Sequence, residues 1–240
     1  MKRVDGLAYE ALAEMLSTAA PPVDRRRASA WARFLMSLLH RHPARIALLR
    51  QAVELNMDET VESVRQQYPS LRGKDDPESF EEYIANSRGR LQDGVLALLL
   101  TRIVDSEKVG NALLAMTWAV GAAQRTRFRF LTSDRPLMTS NGLGHRESLL
   151  VLPISPQSYF IAARRTETIE TFRLNKPDDV IAGVNHAICL QAEEFVIGHD
   201  EAQKRFVDNR LGGSPLHPVV RDSRGSIFWE NPHKFDPWIP

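Results

Sequence analysis

Cysteine is almost missing from this sequence: Cys189 is the only one in 240 residues. A single thiol rules out an internal disulfide framework and any metal site built from several thiolates. It also suits a reducing compartment, so a cytoplasmic location is expected. Long apolar runs are missing too. The longest, VLALLL at 95–100 and ALLAMTWAVGAA at 112–123, fall short of the ~20 residues that span a bilayer, and no membrane partner is expected. The opening MKRVDGLAYEALAEML does not read as a secretory leader, because Asp5, Glu10 and Glu14 interrupt it. Neither sign of charge is in excess. Lysine plus arginine is 31 and aspartate plus glutamate 30, a net charge of +1. Such a balance disfavours a chain built to coat nucleic acid, including through the arginine-rich helix at 25–33.

Several motifs are absent as well. GxxxxGK[ST], GxGxxG, HExxH, GxSxG and paired CxxC do not occur, which argues against phosphate-loop, dinucleotide-fold, zincin and α/β-hydrolase chemistry. No cofactor is expected. Of seven histidines only His40 and His42 lie close together. At i, i+2 on a helix they face different directions, so no metal site is expected.

What remains is an ordinary globular composition, 43% hydrophobic and 25% charged. The first hundred residues read as helices. One apolar face carries Leu7, Leu12, Met15 and Leu16 and ends at Pro21-Pro22. Asp24 suits the cap of a second helix, with Trp31, Phe34, Leu35, Leu38 and Leu39 at helical spacing. Pro43 breaks or restarts the chain before a third helix through Ile46, Leu49 and Val53. A fourth starts at Asp58, residues 69–77 are a loop, and a long helix runs from about Glu78 to Ile103.

The periodicity then shifts. Residues 114–121 suit either a helix or a strand, the strand being preferred. RFRFLTSD at 127–134 alternates at period two, and the intervening AAQRT suits a hairpin turn. SLLVLPIS (148–155) and SYFIAAR (158–164) form two further strands around Ser155-Pro156-Gln157. Pro177 opens a helix, with Asp178 and Asp179 at the positive end of its dipole. Phe195–Gly198 adds an edge strand and 201–210 a short helix.

The expected fold class is α+β: a helical N-terminal half packed on a small, mainly antiparallel sheet, followed by an irregular proline- and aromatic-rich C-terminal tail. Residues 1–213 form a single domain, helical over about 1–112 and sheet-plus-helix over about 113–213. Residues 214–240 carry Phe228, Trp229, Phe235 and Trp238 among several prolines. The tail is expected to lie as an extended strap on the body, or on a second copy or protein partner.

Three polar residues are candidates for a site. Asp134 ends a strand in FLTSDRP, where a carboxylate serves as a general base or as the acceptor of a turn. Asn185 lies within the apolar helix after Pro177, where it faces a pocket or satisfies neighbouring backbone. Arg41, near Pro43, binds an anion or caps a helix. For Asp134 and Asn185 the structural role is the simpler reading, for Asp134 because no second group is fixed beside it by spacing; for Arg41 the two readings stand level.

Several segments together resemble a known family, the bacterial proteins grouped as domain of unknown function 4238. FLTSDRP matches its TSDxP pattern at Thr132, Ser133, Asp134 and Pro136. The strand ending in PISP matches at Pro153, Ser155 and Pro156. VNHAICLQAEEFVIG matches at Asn185, Ala192, Phe195 and Val196. Upstream, Arg41 and Pro43 match an Arg-x-Pro helix ending. The family's usual opening HyxPqfyLrxF segment has no counterpart here, so either a misassigned or truncated start or a shortened member is expected. The resemblance implies a fold and no activity. The expectation is a binding or regulatory protein without its own catalysis. The alternative is a hydrolase or nuclease-like enzyme with Asp134, Asn185 and Arg41 in one pocket.

Overall fold

The computed structural model describes residues 2–73, 76–141, 143–211, 219–221 and 227–229. The chain begins with α1 (Lys2–Thr18) and α2 (Arg25–His40). The Asp24 carboxylate accepts the Arg26 N–H at 2.7 Å and caps α2. Arg27 pairs with Glu14 at 2.7 Å, tying α2 to α1. Pro43 restarts the chain as the first residue of α3 (Pro43–Leu55), where its missing N–H costs nothing.

α4 (Met57–Leu71) and α5 (Phe80–Val104) complete a group of helices packed on one another and on α2. α4 runs two residues past Pro69, into the stretch expected to be a loop. A proline in the last turn removes one bond and does not stop the turn already under way. α6 (Glu107–Leu114) then leads into β1 (Thr117–Ala122).

The main sheet contains β1, β3 (Met138–Ser140), β4 (Leu149–Pro153) and β5 (Ser158–Ala163), in the order β1-β5-β4-β3, with every pairing antiparallel. Two short strands, β2 (Thr132–Ser133) and β6 (Val196–Ile197), pair separately. The four-stranded sheet is buried on both faces. Leu150, Leu152, Phe160 and Ala162 pack against Met15, Trp31, Leu35 and Leu113 from α1, α2 and α6. Val151, Tyr159, Ile161 and Ala163 point the other way. They meet Ile169 of α7 (Thr166–Leu174) and Ile181, Val184 and Ile188 of α8 (Pro177–Gln191). Double burial explains why β4 and β5 read as nearly unbroken apolar runs.

The expected hairpin between 114–121 and 127–134 does not form, since β1 pairs with β5. The backbone of 129–131 finds other partners. Arg129 N–H donates to the Gln203 side chain, Phe130 N–H to the Pro156 carbonyl and Leu131 N–H to Asn185. Only Thr132 and Ser133 remain in a ladder. α7 was not anticipated. The helix expected over 201–210 is a 3-10 turn (Glu201–Gln203) running into α9 (Lys204–Asp208). Within the expected strap, β7 (Val219–Arg221) pairs with β8 (Ile227–Trp229). The rest of 214–240 lies outside the described residues. No helix among the described residues is long and apolar enough to cross a membrane.

Candidate functional site: a cleft between the helices and the sheet

A cleft of about 600 Å³ opens where α1 and α2 meet the ends of β2, β4 and β6. That volume falls within the range of small-molecule sites, ~300–1,000 Å³. Its lining is mostly apolar: Leu12, Trp31, Phe34 and Leu38 from the helices, Leu152, Pro153 and Ile154 from β4 and beyond, and Phe195 and Ile197 around β6. Arg41, His42, Ser133, Asp134 and Glu194 supply most of the polarity.

His42 enters through the joint between two helices. α2 closes with the Arg41 N–H bonded to the Ser37 carbonyl, and the Ile46 N–H takes the His42 carbonyl as α3 begins. A residue before proline is steered away from helical backbone. The joint therefore turns the chain between Arg41 and His42, leaving Arg41 exposed and His42 buried.

Asp134 follows β2. Ser133 Oγ accepts the Arg135 N–H at 3.1 Å and turns the chain. The Asp134 carboxylate then reaches across to the end of α8, accepting the Glu193 N–H at 3.2 Å and the Glu194 N–H at 3.2 Å. His42 Nε2 lies 2.8 Å from Asp134 Oδ2, and both side chains are nearly sealed from solvent, 3% and 7% exposed. Burial pushes the Asp134 carboxyl up. The His42 hydrogen bond and the two backbone donors outweigh it, and the net pKa lies below the ordinary carboxylate value. Asp134 is thus ionised at neutral pH and only accepts, so His42 Nε2 donates.

The other face of the imidazole lies near a second carboxylate. His42 Nδ1 is 3.6 Å from Glu193 Oε2, and Glu193 Oε1 is 3.5 Å from an Arg135 nitrogen. Burial lowers Arg135, against the pull of Glu193 and Asp134. Burial and Arg135 bring Arg45 down to about 10, with Glu193 opposing. The result is an ionic knot, buried at His42 and Asp134 and open to solvent at Glu193, drawn from the α2–α3 joint, the β2 turn and the end of α8.

Of the three residues singled out in the sequence, Asp134 and Arg41 line the cleft and Asn185 does not. Asn185 is fully buried in α8. Its Oδ1 accepts the Leu131 N–H at 2.9 Å and its Nδ2 donates to the Arg129 carbonyl at 2.8 Å. This is the structural role expected of a buried amide. Arg41 forms no ion pair with any described residue. Its guanidinium carbon lies 5.9 Å from the centre of the Phe34 ring.

His42 is the residue that sequence reasoning missed. It is the middle position of Arg41-His42-Pro43, and it meets Asp134 from 92 residues away. Its only local signal was the proline after it. No cluster of three or more metal-ligating side chains occurs among the described residues.

The segments that carried the family resemblance converge here. Arg41-His42-Pro43, Thr132-Ser133-Asp134 with Pro136, Pro153, and Phe195 all line this one cleft. No curated protein and no solved structure matches the chain. The family described as "Protein of unknown function (DUF4238)" matches residues 1–202 of the 240, and the chain belongs to that family.

Proposed function

We propose that this chain is a binding protein without catalysis of its own, and that its ligand occupies the cleft between α2 and the β2–β6 pair. The observation that carries this reading is that Asp134, the carboxylate of the cleft's ionisable pair, is already engaged. Asp134 already accepts from His42 and two backbone N–H groups, and His42 faces a carboxylate at each ring nitrogen. A general base needs a free lone pair within reach of a substrate proton, and a nucleophile needs a base beside it. Ser133, the nearest hydroxyl in sequence, already accepts the Arg135 N–H. The knot therefore holds three chain segments together, and the apolar wall beside it is the surface left for a ligand. The single buried thiol fits the cytoplasm of a bacterial cell as the place of action.

The test is binding of a neutral apolar fluorophore, N-phenyl-1-naphthylamine. We expect saturable enhancement at one site, abolished by Ile154→Trp, which fills the cleft from a partly exposed position. No enhancement, or enhancement unaffected by Ile154→Trp, would contradict the proposal.

The buried 2.8 Å contact between His42 and Asp134 favours one second reading, a hydrolase. It predicts ester or phosphodiester turnover that His42→Gln abolishes while the melting curve keeps its shape.

A further inference from the structure

Among the described residues, the polar groups of the cleft without a protein partner include two donors, on Trp31 and Arg41, and one exposed carboxylate, Glu194. The acceptors of the knot are occupied: the Asp134 oxygens take three donors, and Glu193 faces His42 and Arg135. The donors of the wall are not. The indole N–H of Trp31 is buried without a hydrogen-bond partner, although the residue is 1% exposed and its ring lines the cleft. Buried polar groups are nearly always paired, so an unpaired one calls for an explanation. Arg41 is a donor of a different kind, an exposed cation at the rim with no carboxylate in ion-pair reach among the described residues. Its guanidinium sits over Phe34, which packs 5.1 Å from Trp31 between ring centres. Both free donors therefore border the same aromatic wall.

We propose, building on the binding reading above, that the cleft takes a single-chain amphiphile with a carboxylate head. Its aliphatic body would lie along Trp31, Phe34, Leu152 and Phe195. Its carboxylate would pair with Arg41 and present an acceptor towards the Trp31 N–H. A guanidinium matches a carboxylate through two parallel N–H donors, which makes such a pair more selective than a point charge. Glu194, also on the lining and exposed, opposes an anion and tunes the affinity without creating it.

The experiment displaces N-phenyl-1-naphthylamine from the full chain with decanoate, decanol or decyltrimethylammonium. The expected result is decanoate binding at least tenfold tighter than decanol, and the cation weakest. Arg41→Gln, at an exposed position, should bring decanoate to the level of decanol and leave decanol within twofold. Glu194→Gln should tighten decanoate alone. In a ¹H–¹⁵N spectrum, decanoate should move the Trp31 indole cross-peak downfield as its proton gains an acceptor.

If decanoate and decanol compete equally, or Arg41→Gln leaves decanoate unchanged, the carboxylate assignment is wrong and the cleft remains a neutral apolar site. If the cation competes best, the assignment is wrong in sign. If the fluorophore itself does not bind, the binding reading fails first.

Discussion

At the knot, Asp134 receives His42 and two backbone N–H groups, and His42 in turn faces Glu193. Along the wall of the same cleft, the buried Trp31 N–H has no hydrogen-bond partner, and the exposed Arg41 guanidinium has no ion-pair partner among the described residues. The difference separates two uses of polarity. A buried carboxylate that is already engaged ties chain segments together and has little left to offer a substrate. Unfilled donors beside an apolar surface stabilise little in the empty protein and become useful when a ligand supplies the acceptor.

The largest effect is expected from removing one partner from the knot. Asp134→Leu removes the carboxylate that accepts from His42 Nε2 and two backbone N–H groups, and losing one member of a buried pair costs ~3–5 kcal/mol. Asp134→Asn keeps one acceptor and should lose less. The expected order of melting temperatures is wild type, Asp134→Asn, Asp134→Leu. Equal melting temperatures for all three would remove the structural role.

Acid tests the knot's surroundings. His40 is buried two residues before His42, and burial first, then Arg45, lower its pKa from 6.5 to about 4. The unfolded chain takes up this proton near pH 6.5 and the folded chain only near 4. Between those values the unfolded state binds more protons, so stability falls as pH drops through the window, by on the order of 3 kcal/mol. His40→Gln should flatten stability between pH 6.5 and 4. Asp134 adds a separate loss at lower pH, below its ordinary value of 3.8, because its folded pKa is depressed. An unchanged slope in His40→Gln would contradict the assignment to His40.

Asn185 sharpens the comparison from outside the cleft. Asn185→Ala leaves the Leu131 N–H and the Arg129 carbonyl without their partner, at a cost of ~1–3 kcal/mol. Fluorophore affinity should stay within twofold of wild type below the melting transition. The smallest effect on folding belongs to Arg41→Gln. The side chain is exposed, so stability should change by less than ~0.5 kcal/mol, while carboxylate binding is lost.

The elements legible in the sequence were those whose signal is local. Asp24 capped α2 because an N-cap acts within two or three residues. The β4–β5 hairpin stood out because two apolar runs flank a short turn. The α+β class followed from the change of period, whereas α6 (Glu107–Leu114) carried no signal of its own. RFRFLTSD misled because its alternation suits a ladder, whereas its backbone is satisfied by Gln203, Pro156 and Asn185, which lie far away in sequence.

The site was half visible for the same reason. Asp134 and Arg41 could be singled out one at a time, but nothing in their own neighbourhoods pointed to His42. A pair separated by 92 residues leaves no spacing to read. Asn185 resembled a site residue because an amide in an apolar helix looks the same from sequence whether it faces a cleft or a neighbouring backbone.

The most direct test of the division between knot and wall is a paired measurement on Asp134→Asn and Arg41→Gln, each followed by thermal melting and by decanoate displacement of N-phenyl-1-naphthylamine. The account predicts a double dissociation: Asp134→Asn melts earlier and still binds decanoate when folded, whereas Arg41→Gln melts with wild type and loses decanoate selectivity at least tenfold. The reverse pattern, an Asp134→Asn protein of native stability that no longer binds beside an Arg41→Gln protein that binds normally, would contradict it.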